Sequence, residues 1–325
     1  MTTKNPRLRT RLGIAVVTGA ALIGGAACGA SGPAVHSGTV AFKQTTAPAA
    51  PVTTRVDLHK QLRQMEVAYD GRIGAYGIDL ATGKTVGYRS HERFPFLSTF
   101  KTMACSAILQ KARRTDPGLL DRVIHWKKSD EVETPNSVVE GHGDEGMPVS
   151  RLCEEAIIRS DNTAANLVMK QIGGPPGVTR YIRSIGDPVS RLDRWESDLN
   201  IWKPGERRDT TMPSFIGRDL AKVTVGDALD PRDRTRLNGW LRGNLTGDAR
   251  IRAGLPKTWT IGDKTGSAGS LGYAAANDIA VAWPPGAKAP LVLAIYTNKN
   301  AAVSTNDNKV IADTATLLAK SLGRL

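Results

Sequence analysis

Cysteine, histidine and aromatic side chains are all scarce in this chain of 325 residues. Aromatic residues make up only 5% of it, so the sequence predicts a core built mainly from aliphatic side chains. The five histidines are scattered, and none of them pairs with another ligand at the spacing of a zinc site. A zinc enzyme is therefore not expected, and the sequence calls for no metal and no organic cofactor.

Only three cysteines are present. Cys28 belongs to the amino-terminal segment, whereas Cys105 and Cys153 form an even pair that suits a single disulfide in an oxidising compartment. The alternative is that Cys105 and Cys153 are two buried free thiols.

Residues 1–28 are typical of a secretory signal peptide. Four basic residues precede an uncharged stretch, Leu12–Ala27, which is too short and too rich in glycine for a good membrane span. Cys28 follows Gly25-Ala26-Ala27, which resembles a bacterial lipoprotein cleavage site; plain cleavage is the alternative. Residues 29–55 are rich in Ala, Pro, Ser, Thr and Val and predict a disordered tether. We therefore expect a protein that is secreted or anchored at the outer face of the cell membrane.

The formal net charge of the whole chain is +13, of which the predicted signal supplies four positive charges. A basic balance can indicate nucleic acid or a membrane surface as a partner. The sequence contains no run of Lys and Arg with interleaved aromatic residues and no nucleic-acid motif. We therefore expect a solvated basic surface, no nucleic-acid partner, and membrane contact only through a lipid on Cys28.

Hydrophobic periodicity divides the rest of the chain into strands at both ends and a mostly helical middle. The predicted order is a helix over Val56–Tyr69, strands over Arg72–Leu80 and Lys84–Tyr88, a helical region from Ser98 to about Leu255, strands over Trp259–Asp263, Asp278–Trp283 and Leu291–Thr297, and a helix over Asn308–Leu322. Two strands alone cannot bury enough surface, so both strand groups must join in one sheet.

This order predicts a fold of the α/β (α+β) class in one domain, residues 56–325. An antiparallel sheet flanked by helices comes from both chain ends, about 56–90 and 250–325, and an all-helical part, about 91–249, is inserted between them. A cleft between the two parts is the natural place for a functional site.

Ser98 and Lys101 stand at the predicted start of a buried helix. Because positions i and i+3 share one helix face, the Lys101 amine can reach the Ser98 hydroxyl, which needs a neighbouring base to become a nucleophile. A helix amino terminus also offers free N–H groups to a developing oxyanion. The alternative is a helix cap followed by a solvated lysine.

Two further short motifs can carry chemistry. Ser160-Asp161-Asn162 lies between two apolar helices, where ordinary helix capping is the alternative explanation. Lys264-Thr265-Gly266 follows a predicted strand, where the alternative is a strand with an exposed lysine. Gly266 allows a ligand to approach the backbone, and Ser267 offers that ligand an N–H.

Together, and in this order, the three motifs resemble those of class A β-lactamases and penicillin-binding proteins, the penicilloyl-serine transferase group. The segment Arg191–Asn200, with the sequence RLDRWESDLN, resembles the omega loop of the class A enzymes. The resemblance covers roughly Val56 to the carboxyl terminus. It implies a β-lactamase/transpeptidase-like fold and a monomeric serine hydrolase that opens β-lactams, its only small-molecule partner, and confers antibiotic resistance.

The resemblance also assigns roles. It implies Ser98 as nucleophile, with Lys101, Ser160, Glu196 and Lys264 as the other catalytic residues. Glu196 and Asn200 would direct water for deacylation, and Lys101 and Glu196 remain alternative bases for acylation. The implied substrate-binding residues are Asn162, Asn200, Thr265, Gly266, Ser267 and Arg250.

Three features of the resemblance concern structure rather than chemistry. Arg194 and Asp209 match the ion pair at the base of the omega loop, and Cys105 and Cys153 match a pair that is bridged in some class A enzymes. Ser197 departs from the family, which has a proline after the glutamate at a cis peptide bond.

Two alternative functions remain open at this point. A D-alanyl-D-alanine carboxypeptidase or other penicillin-binding protein shares the serine chemistry but lacks the Glu196–Asn200 pair. A slow-turnover sensor protein that binds β-lactams would keep the fold. For Glu196 and Arg250, the plain alternatives are an exposed helix carboxylate and a solvated arginine.

Overall fold

The computed structural model describes residues 57–269, 272–302 and 305–325. The predicted signal peptide and tether, with the lipidation candidate Cys28, lie outside the described residues. Within the described ranges, no helix has both the length and the apolar character needed to cross a membrane.

Strands from the two ends of the chain form one antiparallel sheet with the strand order β2-β1-β9-β8-β7. Its strands are β1 Gly71–Asp79, β2 Thr85–Tyr88, β7 Thr260–Ala268, β8 Tyr273–Trp283 and β9 Leu291–Ala302. The two ends meet where β1 pairs with β9, with Ala75 opposite Ile295. The predicted union of the two strand groups is therefore present.

The central strands are covered on both faces. Successive residues of a strand point to opposite faces, and along β9 they enter two different apolar clusters. Val292 and Ala294 belong to the cluster shared with the helical part, whereas Leu293 and Ile295 belong to the cluster beneath the terminal helices. This explains why the first half of β9, Leu291–Tyr296, is continuously apolar rather than alternating.

The first face of the sheet carries α1 Leu58–Tyr69 and α9 Asn308–Leu322. Helix α1 buries Leu58 and Leu62 at helical spacing, and the side chain of Asp57 caps its start. Helix α9 has the bounds that the sequence predicts. The helices from both chain ends therefore pack on the same face.

The second face carries the helical part. Its helices are α2 Phe100–Arg114, α3 Val149–Ile158, α4 Asn162–Lys170, α5 Gly174–Ser184, α6 Pro213–Thr224 and α7 Pro231–Arg242. The short helix α8 Ile251–Gly254 packs against α9 on the first face instead. Four two-residue strands also occur, β3 Phe94–Pro95, β4 Val123–Ile124, β5 Met147–Pro148 and β6 Thr210–Thr211. Helix α6 lies directly on the sheet: a Cβ added at Gly217 would be 2.6 Å from the Tyr76 ring. The helical part and the sheet therefore share one core.

Four predictions need correction. Strand β8 begins at Tyr273 rather than Asp278, and β9 ends at Ala302 rather than Thr297. Strand β7 extends five residues beyond the predicted end at Asp263 because its polar continuation pairs with β8, with Lys264 opposite Ile279. The predicted disulfide is absent: Cys105 and Cys153 are buried free thiols, and the Cys105 Sγ donates to the Cys153 carbonyl oxygen at 3.5 Å. The two cysteines therefore lie close together as thiols without a covalent bond.

Candidate active site

Ser98 lies in a tight turn, Leu97–Thr99, that leads directly into α2. The preceding residue, Leu97, has a φ of +49°, a left-handed conformation that is rare for a residue with a side chain and recurs at functional sites. The Ser98 side chain is nearly buried, and its hydroxyl donates to Glu196 Oε1 at 3.3 Å. The turn therefore presents the hydroxyl to a carboxylate from a distant segment.

Lys101 lies one helical turn after Ser98 and is fully buried. Its Nζ donates to the Ser160 carbonyl at 2.7 Å and to Asn162 Oδ1 at 2.8 Å, and it lies 3.0 Å from Glu196 Oε1. The Ser160 hydroxyl lies farther off, at 3.5 Å, so the three N–H donors of the ammonium group have at least three acceptors around them. The alternative of a solvated lysine is therefore wrong.

The Ser160-Asp161-Asn162 segment joins α3 to α4, and its three side chains have different roles. Asp161 caps α4, because its Oδ1 accepts from the Ala164 N–H at 2.8 Å. Ser160 has a φ of +60°, and its hydroxyl accepts from Lys264 Nζ at 2.9 Å. Capping thus accounts for Asp161, whereas Ser160 and Asn162 face the buried lysines.

Lys264 belongs to β7 and is fully buried, so the alternative of an exposed lysine is wrong. Its Nζ donates only to neutral partners, Ser160 Oγ at 2.9 Å and the Thr265 carbonyl at 2.8 Å. Burial, and then the positive charge of Lys101, holds the pKa of Lys264 well below its usual value. A lowered pKa makes this ammonium a stronger acid.

Gly266 brings the edge of β7 against the nucleophile turn. A Cβ at Gly266 would lie 2.7 Å from Leu97 Cβ and 3.0 Å from the Ser98 nitrogen, so no other residue fits without movement. Thr265 is buried beside it, and Ser267 is exposed. A ligand at this edge would meet the start of α2 and the end of β7 together.

Arg250 lies behind this edge and is not a solvated arginine, since it is only 7% exposed. Its guanidinium donates to the carbonyls of Gly266 at 2.8 Å and Asn277 at 2.7 Å, to Asn308 Oδ1 at 2.8 Å and to Ser267 Oγ at 2.5 Å. Burial lowers the pKa of Arg250. Four of its five N–H donors are therefore used inside the protein.

Glu196 is held by two asparagines. Asn166 forms two hydrogen bonds of 3.0 Å with the Glu196 backbone, one to its N–H and one to its carbonyl. Asn200 donates to Glu196 Oε2 at 2.7 Å, as their spacing predicts. The peptide bond between Glu196 and Ser197 is cis even without the family's proline. Sequence reasoning missed Asn166, which lies on α4 with no motif to mark it.

The omega loop is closed by Arg194 and Asp209, as the resemblance implies. Arg194 Nε lies 2.6 Å from Asp209 Oδ2, and Asp209 Oδ1 accepts from the N–H groups of Asp193 at 2.7 Å and Arg194 at 2.9 Å. One buried carboxylate therefore fixes both the side chain and the backbone at the start of the loop.

The five residues predicted to be catalytic come together in one linked cluster. Contacts run from Lys264 to Ser160, from Ser160 to Lys101, from Lys101 to Glu196, and from Glu196 to Ser98. Glu196 is therefore not an exposed helix carboxylate. Among the described residues, no group of three or more His, Cys, Asp or Glu side chains could hold a metal ion. The arrangement is that of a serine nucleophile surrounded by proton carriers.

Comparison with known proteins decides the family. A family model described as the beta-lactamase enzyme family matches residues 57–322. The chain belongs to this family. Among curated relatives, β-lactamase AST-1 of Nocardia asteroides is 42% identical over 97% of this chain and 96% of its own length. The carbapenem-hydrolysing β-lactamase KPC of Klebsiella oxytoca is 44% identical over 80% of this chain and 87% of its own.

Solved structures agree. A β-lactamase from Streptosporangium roseum is 60% identical with a TM-score of 0.79, covering 82% of this chain and 99% of its own. A class A β-lactamase representing the last common ancestor of Gram-negative bacteria is 44% identical with a TM-score of 0.76, covering 82% and 99%. The chain therefore has the β-lactamase/transpeptidase-like fold and is a class A serine β-lactamase, a hydrolase of the antibiotic-resistance type. The carboxypeptidase and sensor alternatives are not favoured.

Proposed function

We propose that Ser98 attacks the β-lactam carbonyl and that the Glu196 carboxylate takes its proton. The observation that carries this proposal is the contact of Glu196 Oε1 with the Ser98 hydroxyl at 3.3 Å. Lys101 Nζ lies 3.0 Å from Glu196 Oε1 and donates to the Ser160 carbonyl and to Asn162 Oδ1. In this proposal Lys101 supplies positive charge that stabilises the negative charge developing during attack.

The leaving nitrogen of the opened ring receives its proton through Ser160. Lys264 donates to the Ser160 hydroxyl, and its lowered pKa favours transfer of a proton along that contact. The backbone N–H groups of Ser98 and Ser267 form the oxyanion hole, at the junction that Gly266 keeps open. This assigns the base to Glu196 and the acid to Ser160 and Lys264.

Substrate recognition depends on the edge of β7. The substrate carboxylate binds Thr265 and Ser267 and lies near the charge of Lys264. Arg250 has one N–H left, so it acts mainly by orienting Ser267 and by its own charge. Asn162 uses its Oδ1 for Lys101, which leaves its amide N–H groups for the substrate's side-chain carbonyl.

Deacylation uses a water held between Glu196 and Asn200. Asn200 Oδ1 is buried and has no hydrogen-bond partner among the described residues, although its Nδ2 holds Glu196. Buried polar atoms without a protein partner are the usual places for ordered water. A water there would lie beside the base that activates it for attack on the acyl-enzyme.

The Glu196→Ala variant tests this division of labour. In this variant Lys101, the alternative base for acylation, is still present, whereas deacylation loses the carboxylate that activates its water. We expect a penicilloyl adduct detected by intact-mass measurement and a fall in steady-state cephalosporin hydrolysis of roughly 10³-fold or more. Ser98→Ala is the control and should give no adduct. Steady-state hydrolysis at the normal rate by Glu196→Ala would contradict the proposed role.

We also propose that residues 1–28 direct export and that the mature protein is a monomer, either secreted or anchored through a lipid on Cys28. The basic and apolar composition of this segment supports export, and Gly25-Ala26-Ala27 before Cys28 supports lipid attachment. Mass spectrometry of the mature amino terminus, with Cys28→Ser as control, distinguishes lipidation from plain cleavage. Light scattering of the purified enzyme tests the monomer.

A further inference from the structure

Two cavities lie next to each other along α5, and Arg180 lines both of them. The first, of about 460 Å³, is bounded by the end of α2 and the start of α5. The second, of about 350 Å³, is bounded by α5 and the first residues of the omega loop. None of the five catalytic side chains lines either cavity. This pair of cavities, the α5 groove, is therefore separate from the active site.

The α5 groove is strongly basic. Among the described residues it is lined by five cations and a single carboxylate, Lys111, Arg114, Arg180, Arg183, Arg191 and Asp193. Asp193 is already paired with Arg191, whose Nε lies 2.9 Å from Asp193 Oδ2. In the described part of the chain no carboxylate forms an ion pair with the other four cations. The side chains that line the groove therefore carry four more positive charges than negative ones.

Neutral backbone atoms orient these cations. Lys111 Nζ donates to the Gln171 carbonyl at 2.7 Å, and Arg180 Nη2 donates to the Ile172 carbonyl at 3.2 Å. Arg183 Nη1 donates to two further carbonyls at 2.6 and 2.7 Å. A carbonyl fixes a cation in place without cancelling its charge, so the groove presents a preorganised row of donors to an anion.

Helix capping explains only part of this row. Lys111 and Arg114 stand in the last turn of α2 and Arg183 in the last turn of α5, where cations stabilise the helix dipole. Arg180 stands in the middle of α5, and Arg191 is the first residue of the omega loop, so neither is explained in that way.

We propose that the α5 groove binds a linear polyanion of repeating phosphate groups. Four of its five cations are arginines, whose planar fork matches phosphate oxygens in pairs. The cations follow two joined cavities, which fits an extended chain better than one compact ion.

The lining argues against two other partners. Tyr181 is its only aromatic residue and is buried, so the groove offers no platform on which nucleic-acid bases could stack. None of the exposed large apolar residues of the described chain lines the groove, so nothing there would insert into a lipid bilayer.

Inorganic polyphosphate tests the proposal. Its affinity for the purified enzyme is measured by calorimetry between roughly 50 and 200 mM salt, where counterion release gives a steep dependence. The test variant is Arg114→Glu/Arg180→Glu. The control is Lys60→Glu/Arg63→Glu, which changes the net charge equally on the exposed side of α1. Hydrolysis of a chromogenic cephalosporin should be unchanged in both variants, which shows that they fold.

We expect the wild type to bind polyphosphate, the test variant to bind at least about tenfold more weakly with a salt slope reduced by roughly two, and the control to stay within about twofold of the wild type. Absence of wild-type binding at low salt would overturn the proposal, as would an equal loss in the control. Anionic phospholipid vesicles are a separate arm. Retention on vesicles that depends on Arg114 and Arg180, without polyphosphate binding, would assign the groove to a membrane surface instead.

Discussion

Replacing Asp219 with asparagine tests how a buried carboxyl pair sets the pH dependence of stability. Asp219 lies on α6 and is 1% exposed, as is Asp187, which precedes the omega loop. Burial, and then the neighbouring Asp187, raises the pKa of Asp219 to about 8. The nearest cation, Lys222 Nζ, is 3.8 Å from Asp219 Oδ1, too far for a good ion pair.

The sign follows from the direction of this shift. Because an unfolded chain lets Asp219 titrate near its ordinary value of 3.8, the folded protein keeps a proton between about pH 4 and 8 that the unfolded chain has released. Stability is therefore lost as the pH rises through this window. At about 1.4 kcal/mol per pKa unit, the loss is on the order of 5 kcal/mol by about pH 8. Asparagine cannot ionise, so Asp219→Asn should avoid it.

The assay is urea unfolding followed by tryptophan fluorescence, at several pH values between about 5 and 8, from which the free energy of unfolding is extrapolated. The variant should be close to the wild type near pH 5 and more stable by several kcal/mol near pH 8. Asp121→Asn, an exposed aspartate on the same helical part, is the matched control and should follow the wild type. A difference between Asp219→Asn and wild type that does not change with pH would refute the reasoning.

Three further variants test local contacts, two at the active site and one on α7. Gly266→Ala places a Cβ 3.0 Å from the Ser98 nitrogen, so kcat/KM should fall by roughly 10- to 100-fold while the far-UV spectrum stays unchanged; full activity would contradict the close approach. Asn166→Ala removes both hydrogen bonds to the Glu196 backbone, so acyl-enzyme should accumulate in intact-mass experiments, and normal deacylation would rule out that clamp. Gly239→Ala, with no atom within 4 Å of the new Cβ, should stabilise α7 by about 0.5–1 kcal/mol in thermal melts without changing activity.

The sheet was predictable wherever burial imposes a continuous apolar run. The final helix, Asn308–Leu322, appears as expected, and the predicted strand Leu291–Thr297 appears with a polar extension to Ala302. The start of β8 was missed because Ala274, Ala275 and Ala276 have little strand preference, and only pairing with β7 and β9 makes them a strand. Local sequence could not reveal that pairing.

The residues of the active site also differ in whether the sequence could predict their roles. Motif residues such as Ser98 and Lys264 were predictable, because the order of three short motifs is specific to one group of enzymes. Asn166 was not, because its role depends on the omega loop returning to α4. The hydrogen bonds of Arg250 were also not predictable from the sequence, because its N–H donors bind groups within the protein. The free thiols of Cys105 and Cys153 contradict an inference drawn from cysteine number and compartment, which carries no information on side-chain direction.

The two buried lysines differ in how their charges are compensated, and this difference explains why the site suits an anionic substrate. Lys101 is paired with Glu196 at 3.0 Å, whereas Lys264 contacts only a hydroxyl and a carbonyl. A buried cation without a partner is costly, which is why the pKa of Lys264 is lowered. In the mechanism proposed above, a substrate carboxylate bound beside Lys264 supplies the negative charge that the free site lacks. The free site therefore favours an anionic substrate over a neutral one.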